Sequence, residues 1–249
     1  MRLSRQGIRM IGLLALIGGA LVGFICVVSL VFGVKRYSFS IDPLFSDVTR
    51  RAIIEYIEES ESFKNSSSFE RFAFLQDRFP AIKSLKTELI APNVLHCEVS
   101  ATPPVIKIND TLILTDSGLV VLPETFASYR LENLYGIQVN EAPLFTHKVS
   151  STMLECIKKI SPSLYSRFSI SWISEFHVRF DDKLNPSFSI LCAAQSIPNE
   201  QMLRYCEQLL QTNTRQGTNG CKVPKHWIAD VRFSKQIILF TEKGGVGYG

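Results

Sequence analysis

An uncharged run of twenty-five residues, Met10 to Val34, constrains this chain more than any other feature of its sequence. At about 1.5 Å per helical residue it exceeds the roughly 30 Å hydrocarbon core of a bilayer, which predicts one transmembrane helix spanning with some tilt. Arg2, Arg5 and Arg9 precede the run without an acidic residue, and Lys35 and Arg36 mark its far edge. Counting the free amine, the N-terminal side is the more basic, so the positive-inside rule predicts a cytoplasmic N-terminus and an ectodomain from Tyr37 to Gly249. A cleaved signal peptide is the rival, but its apolar region runs about 7–15 residues and ends in small residues. Here the run ends Phe32-Gly33-Val34-Lys35-Arg36. Cys26 follows Phe24-Ile25, without the small residue that lipid processing needs, and reads as a buried apolar cysteine. Ala15, Gly19 and Gly23 form a small-x-x-x-small row, either a helix-packing face or the ordinary glycine content of a membrane span.

The basic excess belongs to this first segment. Residues 1–36 hold five Lys/Arg and no Asp/Glu, leaving 22 basic and 23 acidic side chains in the other 213 residues, a formal charge of −1. The pI of 8.7 therefore gives no support to a nucleic-acid partner, which needs a basic patch on the folded part. Outside the apolar run lie Cys97, Cys156, Cys192, Cys206 and Cys221, an odd number. Core packing is expected for Cys97 and Cys156, and Cys192 with Cys206 is the pair left open as a bridge. No C-x-x-C occurs and the four histidines are scattered, so neither a metal site nor a cofactor is expected.

The periodicity separates two regions. Tyr37 to Ile41 alternates as a short strand stopped by Asp42-Pro43. Ser46 or Asp47 opens a helix carrying Val48, Ile53, Ile54 and Ile57, and Ser67-Ser68-Phe69-Glu70 is a capping box for a second, with Phe72, Leu75 and Phe79 on one face. After Pro80 come two alternating strands, the second with Leu95, Cys97 and Val99 inward and His96 outward. Pro103-Pro104 marks a boundary. Beyond it, Thr111 to Leu122 reads as a hairpin turning at Asp116-Ser117-Gly118, and Thr152 to Glu155 as the cap of a helix. Phe176, Val178 and Phe180 alternate, as do Phe188, Ile190 and Cys192; from Asn199 a helix aligns Met202, Leu203, Cys206, Leu209 and Leu210. One last strand is expected from Trp227 to Phe240, then a Gly-rich tail.

In this order the residues resemble a known family. A βααββ module after a signal-anchor, with Arg78-Phe79-Pro80-Ala81-Ile82-Lys83, Ala91-Pro92-Asn93-Val94-Leu95 and Pro104-Val105, is similar to the POTRA domain of the bacterial division protein FtsQ, called DivIB in Gram-positive species. Asp116-Ser117-Gly118 resembles the turn opening that family's second domain, and Ile228 to Phe233 its terminal Asp-Leu-Arg-Tyr strand, with Val231 standing for the Leu. Ala101-Thr102 departs from the family's usual Glu-Arg. The fold class so implied is α+β: a single N-terminal transmembrane helix, a βααββ POTRA domain, and a C-terminal β-rich domain with packed helices. The expected divisions are a cytoplasmic tail at 1–9, the span at 10–34, the POTRA-like domain at 37–108, the β-rich domain at 109–241 and a flexible tail at 242–249.

The resemblance implies a non-catalytic scaffold of the division machinery in the inner membrane, its ectodomain periplasmic, binding FtsB- and FtsL-like membrane proteins and regulating septal peptidoglycan synthesis. Partners are then those proteins and the lipid bilayer, with no nucleic acid and no small-molecule substrate. Binding is expected by strand addition at the C-terminal edge, through Asp230, Arg232, Phe233 and Lys235, with the helix of Asn199 to Leu210 beneath. Strict alternation puts Asp230 and Arg232 on one face and Val231, Phe233 and Lys235 on the other, so that Arg232 serves binding rather than folding. The chain holds no Gly-x-Ser-x-Gly, Ser-x-x-Lys, His-Glu-x-x-His or Gly-Lys-Ser/Thr motif. A membrane-anchored envelope hydrolase, with a triad assembled by folding, and a POTRA-type factor for protein export or outer-membrane assembly are the alternatives.

Overall fold

The computed structural model describes residues 18–21, 23, 36–91, 93–140, 147–216, 226–233 and 236–241. Most of the expected span from Met10 to Val34 lies outside these residues. Residues 18–21 and 23 are helical and exposed, and a Cβ added at Gly19 or Gly23 meets nothing within 4 Å. Ala15 lies outside the described residues. A bilayer crossing needs about 20 consecutive apolar helical residues. Among the described residues no helix is long and apolar enough to cross a membrane. This corrects the expectation of an N-terminal transmembrane helix, and with it the single-pass inner-membrane placement and the cytoplasmic N-terminus.

The chain divides into two compact units. One holds the described residues up to Asp42 with Arg50–Ala101; the other holds Pro43–Thr49 with the described residues from Thr102 on. In the first, β1 (Arg36–Ile41) is followed by α1 (Asp47–Glu59, from Arg50 on within this unit), α2 (Glu61–Lys64), α3 (Ser68–Arg78), β2 (Ile82–Ala91) and β3 (Val94–Ala101). The sheet order is β1-β3-β2, β1 parallel and β2 antiparallel to β3. The capping box forms: Ser67 Oγ accepts from the Glu70 N–H at 3.4 Å, and the Ser67 N–H donates to Glu70 Oε2 at 2.8 Å. An extra turn, α2, interrupts the expected pair of helices, because Ser60 Oγ caps the Phe63 N–H and the Phe63 ring is fully buried. Leu95, Cys97 and Val99 are buried with Ile53, Ile57 and Leu75, as alternation in β3 and helical spacing in α1 and α3 require. Asn93 takes a positive φ of 76° in the turn between β2 and β3.

In the second unit the elements are β4 (Pro104–Ile108), β5 (Leu112–Thr115), β6 (Val120–Val121), a 3-10 turn at Pro123–Thr125, α4 (Ser128–Leu131), β7 (Gly136–Val139), α5 (Ser151–Lys159), α6 (Pro162–Arg167), β8 (Phe168–Ser174), β9 (His177–Asp182), β10 (Phe188–Ala193), α7 (Glu200–Gln216), β11 (Trp227–Phe233) and β12 (Gln236–Thr241). They build one nine-stranded sheet in the order β12-β11-β10-β9-β8-β7-β4-β5-β6. Three neighbour pairs are parallel, β4–β7, β7–β8 and β10–β11. Parallel neighbours need long crossovers. Here α5 with α6 joins β7 to β8, and α7 joins β10 to β11. Helices thus serve as strand connections, which corrects the expected α+β class: the chain is mixed α/β, mostly sheet.

The hairpin at Asp116-Ser117-Gly118 turns with Gly118 at φ +81°, where Val149 and Leu154 atoms already stand 3.4 Å from the position of a Cβ. The cap of α5 is Ser150, whose Oγ accepts from the Met153 N–H at 3.2 Å, two residues before the expected Thr152. Registers align an inward row across five strands, Ile170, Phe180, Ile190, Ala229 and Leu239, against which α7 sets Cys206, Leu203 and Leu210. Trp172 and Phe168 are fully buried in the same core. Cys192 and Cys206 are both buried free thiols, so the bridge left open between them is absent, and Cys97 and Cys156 are buried and free as well. Cys26 and Cys221 lie outside the described residues.

Candidate partner-binding edge

The expected single strand from Trp227 to Phe240 is two strands, β11 and β12, paired antiparallel. β11 has β10 on one side and β12 on the other, and from Trp227 to Asp230 it is paired along both edges. At this end of the sheet the outermost strand among the described residues is β12. Asp230, Arg232 and Phe233 therefore sit one strand in from the edge, and Lys235 lies outside the described residues.

Registers define two rows on the face opposite the helices. One runs Ser171, Arg179, Leu191, Asp230, Ile238; the other Ser169, Asp181, Ser189, Ile228, Phe240. Their polar members close on one another. Asp230, 4% exposed, receives Arg232 Nε at 2.8 Å, Arg232 Nη2 at 2.6 Å and the Arg232 backbone N–H at 3.1 Å. Arg232 Nη1 lies 3.2 Å from His177 Nε2, and His177 Nδ1 3.1 Å from Ser174 Oγ. Burial raises the pKa of Asp230, but the Arg232 side chain and backbone N–H outweigh it, helped by the charges of Arg232 and His177, and hold the carboxyl below its ordinary value. The register slips between Asp230 and Phe233. This irregularity breaks the alternation: Val231 is buried, whereas Phe233, expected on the same face, is 51% exposed.

A second polar group joins β9, β10 and the residue before β11. Arg179 Nε donates to Asp181 Oδ1 at 2.7 Å, Arg179 Nη2 stands 3.0 Å from His226 Nε2, and the Ser189 hydroxyl contacts both Asp181 and His226. Ser, His and Asp meet here, yet not as a nucleophilic triad. Such a triad puts the carboxylate on the histidine nitrogen remote from the serine. In this structure that nitrogen, Nδ1, faces the Pro186 carbonyl at 3.0 Å, Asp181 contacts the serine itself, and Ser189 is fully buried.

Exposed at this end of the sheet are the apolar Phe233, Ile238 and Phe240, beside the polar Arg232 and Gln236. On the helix side, Tyr205, Gln208, Leu209 and Thr212 of α7 and Ile237 of β12 line a groove of about 450 Å³. A larger cleft of about 640 Å³ lies by α5, α6 and the start of α7. Its Arg167 is engaged by Asp182 and Glu207, each at 2.7 Å. Among the described residues no three His, Cys, Asp or Glu side chains are grouped to hold a metal ion.

No family model and no curated protein matches this chain. The edge must be judged on its own chemistry. Its legible signals were the apolar run Ile237-Ile238-Leu239-Phe240 and the preceding Phe233-Ser234-Lys235-Gln236, which is short enough for a tight turn.

Proposed function

We propose that this chain is a non-catalytic scaffold that takes an extended segment of another protein as an added strand along β12. The observation carrying the proposal is the pairing of an outermost strand with exposed Ile238 and Phe240, while Arg179, Asp181, Ser189 and Asp230 on the neighbouring strands are engaged by internal bonds. An added strand gains backbone hydrogen bonds, and its alternate side chains meet Ile238 and Phe240 on one face and the α7 groove on the other. The resemblance to FtsQ and DivIB names the partners: FtsB- and FtsL-like division proteins, with regulation of septal peptidoglycan synthesis as the outcome. The buried Ser189 supports a role without hydrolysis, since a nucleophile has to reach substrate.

The test is co-purification of division proteins with Ile238→Glu and Phe240→Glu chains, alongside thermal melting. Binding should fall at least about tenfold, because a charge facing the added strand must be desolvated. Melting should stay near wild type, since both side chains are exposed. Undiminished recovery of partners, or recovery of no division protein by the unmodified chain, sinks the proposal.

A further inference from the structure

At ten residues, β2 is a long strand with one side unpaired: in the order β1-β3-β2 it has a neighbour only in β3 among the described residues. From Ser84 to Leu89 it runs in unbroken register against Ser100 to Leu95, and irregularities flank that stretch on both sides. Leu89 and Ile90 are 51% and 55% exposed. Edge strands are commonly guarded by charged side chains, proline or a bulge. The regular part of β2 has no proline and no bulge, and its charges do not share one sign. Lys86 and Glu88 instead flank Thr87 with opposite signs, and that placement is self-complementary.

Consider the antiparallel pairings of β2 with itself whose two-fold axis lies at Lys86, Thr87 or Glu88, at the charged centre of the strand; each keeps the helix-covered faces on one side. A two-fold axis at Lys86 opposes Lys86 to its own copy, and an axis at Glu88 opposes Glu88 to its own copy; both are repulsive. An axis at Thr87 opposes Lys86 to Glu88 twice, Leu85 to Leu89 twice and Thr87 to itself. Within one molecule Lys86 Nζ already lies 3.4 Å from Glu98 Oε2, and Glu88 stands in register with His96. The outward row across such a dimer then reads Glu98, Lys86, Glu88, His96, the last two from the second copy. The other face reads Val99, Leu85, Leu89, Leu95, again crossing between copies after the second residue, and covers the exposed Leu89.

We propose that two copies of this chain associate through β2, antiparallel about a two-fold axis at Thr87, joining two three-stranded sheets into one of six strands. The symmetry is isologous, so one patch serves both partners. This association is independent of the β12 edge.

The experiment is sedimentation velocity of the full chain across a concentration series. Wild type should dimerise, and Lys86→Glu and Glu88→Lys should each weaken the dimer about tenfold or more by opposing like charges twice. An equimolar mixture of the two variants should recover the dimer, because the carboxylates at positions 86 and 88 of one chain then face the ammonium groups at positions 88 and 86 of the other. In a chain with Cys26 and Cys221 replaced by Ser, Thr87→Cys should cross-link to itself under mild oxidation and Ser84→Cys should not. A wild-type monomer at all concentrations overturns the proposal. So does a mixture that fails to recover, or cross-linking through Ser84→Cys in place of Thr87→Cys.

Discussion

Arg232 closes over Asp230: two of its guanidinium nitrogens, at 2.8 and 2.6 Å, and its own backbone N–H satisfy a carboxylate that is 4% exposed. Alternation along the strand had made Arg232 a surface residue free to bind a partner, with a charge reversal harmless to folding. The structure ties it to folding instead. Arg232→Glu should cost about 2 kcal/mol, because a buried carboxylate loses its charged donors and gains a like charge. Chemical denaturation of wild type and variant compares them directly; an unchanged midpoint refutes the assignment.

The same pair sets an acid limit. A carboxyl held below its ordinary 3.8 when folded contributes stability that is present above about pH 4 and lost as pH falls through the depressed folded value. Asp230→Asn should flatten the decline in stability below about pH 4 relative to wild type. Parallel acid-unfolding curves would show that the pair adds nothing to the pH dependence.

Asp182 is 3% exposed and is held by Arg167 at 2.7 and 3.2 Å and by the N–H groups of Leu184 and Asn185 at 2.8 and 3.2 Å. It fixes the end of β9 to the turn that follows and to the end of α6. Arg167 also pairs with Glu207 on α7. Asp182→Ala leaves two loop donors and a guanidinium without their acceptor and should cost about 3 kcal/mol, read as a lower denaturation midpoint. Glu207→Ala, at a half-exposed pair, should cost about 1 kcal/mol or less. Equal losses in the two variants would contradict this ranking.

Burial pushes the thiol of Cys192 up to about 12 and those of Cys97 and Cys206 to about 11. An alkylating reagent at pH 8 should leave all three unmodified in the native chain and label them after denaturation, as followed by peptide mass mapping. Rapid native labelling of Cys192, or a peptide linking it to Cys206, would contradict the buried free thiols.

Local order was legible in the sequence because its causes are local. Ser67 and Glu70 lie one helical turn apart, so each reaches the other's backbone whatever the rest of the chain does. Gly118 marked its turn by tolerating positive φ, and Leu95, Cys97 and Val99 marked a half-buried strand by simple alternation. The stripe of Met202, Leu203, Cys206, Leu209 and Leu210 announced the core-facing side of α7 in the same way, except that Leu209 is 36% exposed.

Strand neighbours and edges were decided only by the tertiary structure. Parallel pairs such as β10 with β11 join segments separated by a whole helix, and nothing in either strand's own pattern names its neighbour. The split of Trp227 to Phe240 into β11 and β12 moved the outer edge by one strand, and the slip between Asp230 and Phe233 turned Phe233 outward against its periodicity. Arg167 with Asp182, and Arg179 with Asp181, Ser189 and His226, are likewise contacts that pairing creates, since their residue types are those of any solvated surface. Interactions a few residues long set what each short segment prefers, and these can be read from its residues; which charges become partners and which strand is left outermost follows from the long-range register that buries Trp172, Phe180 and Ile190 in one core.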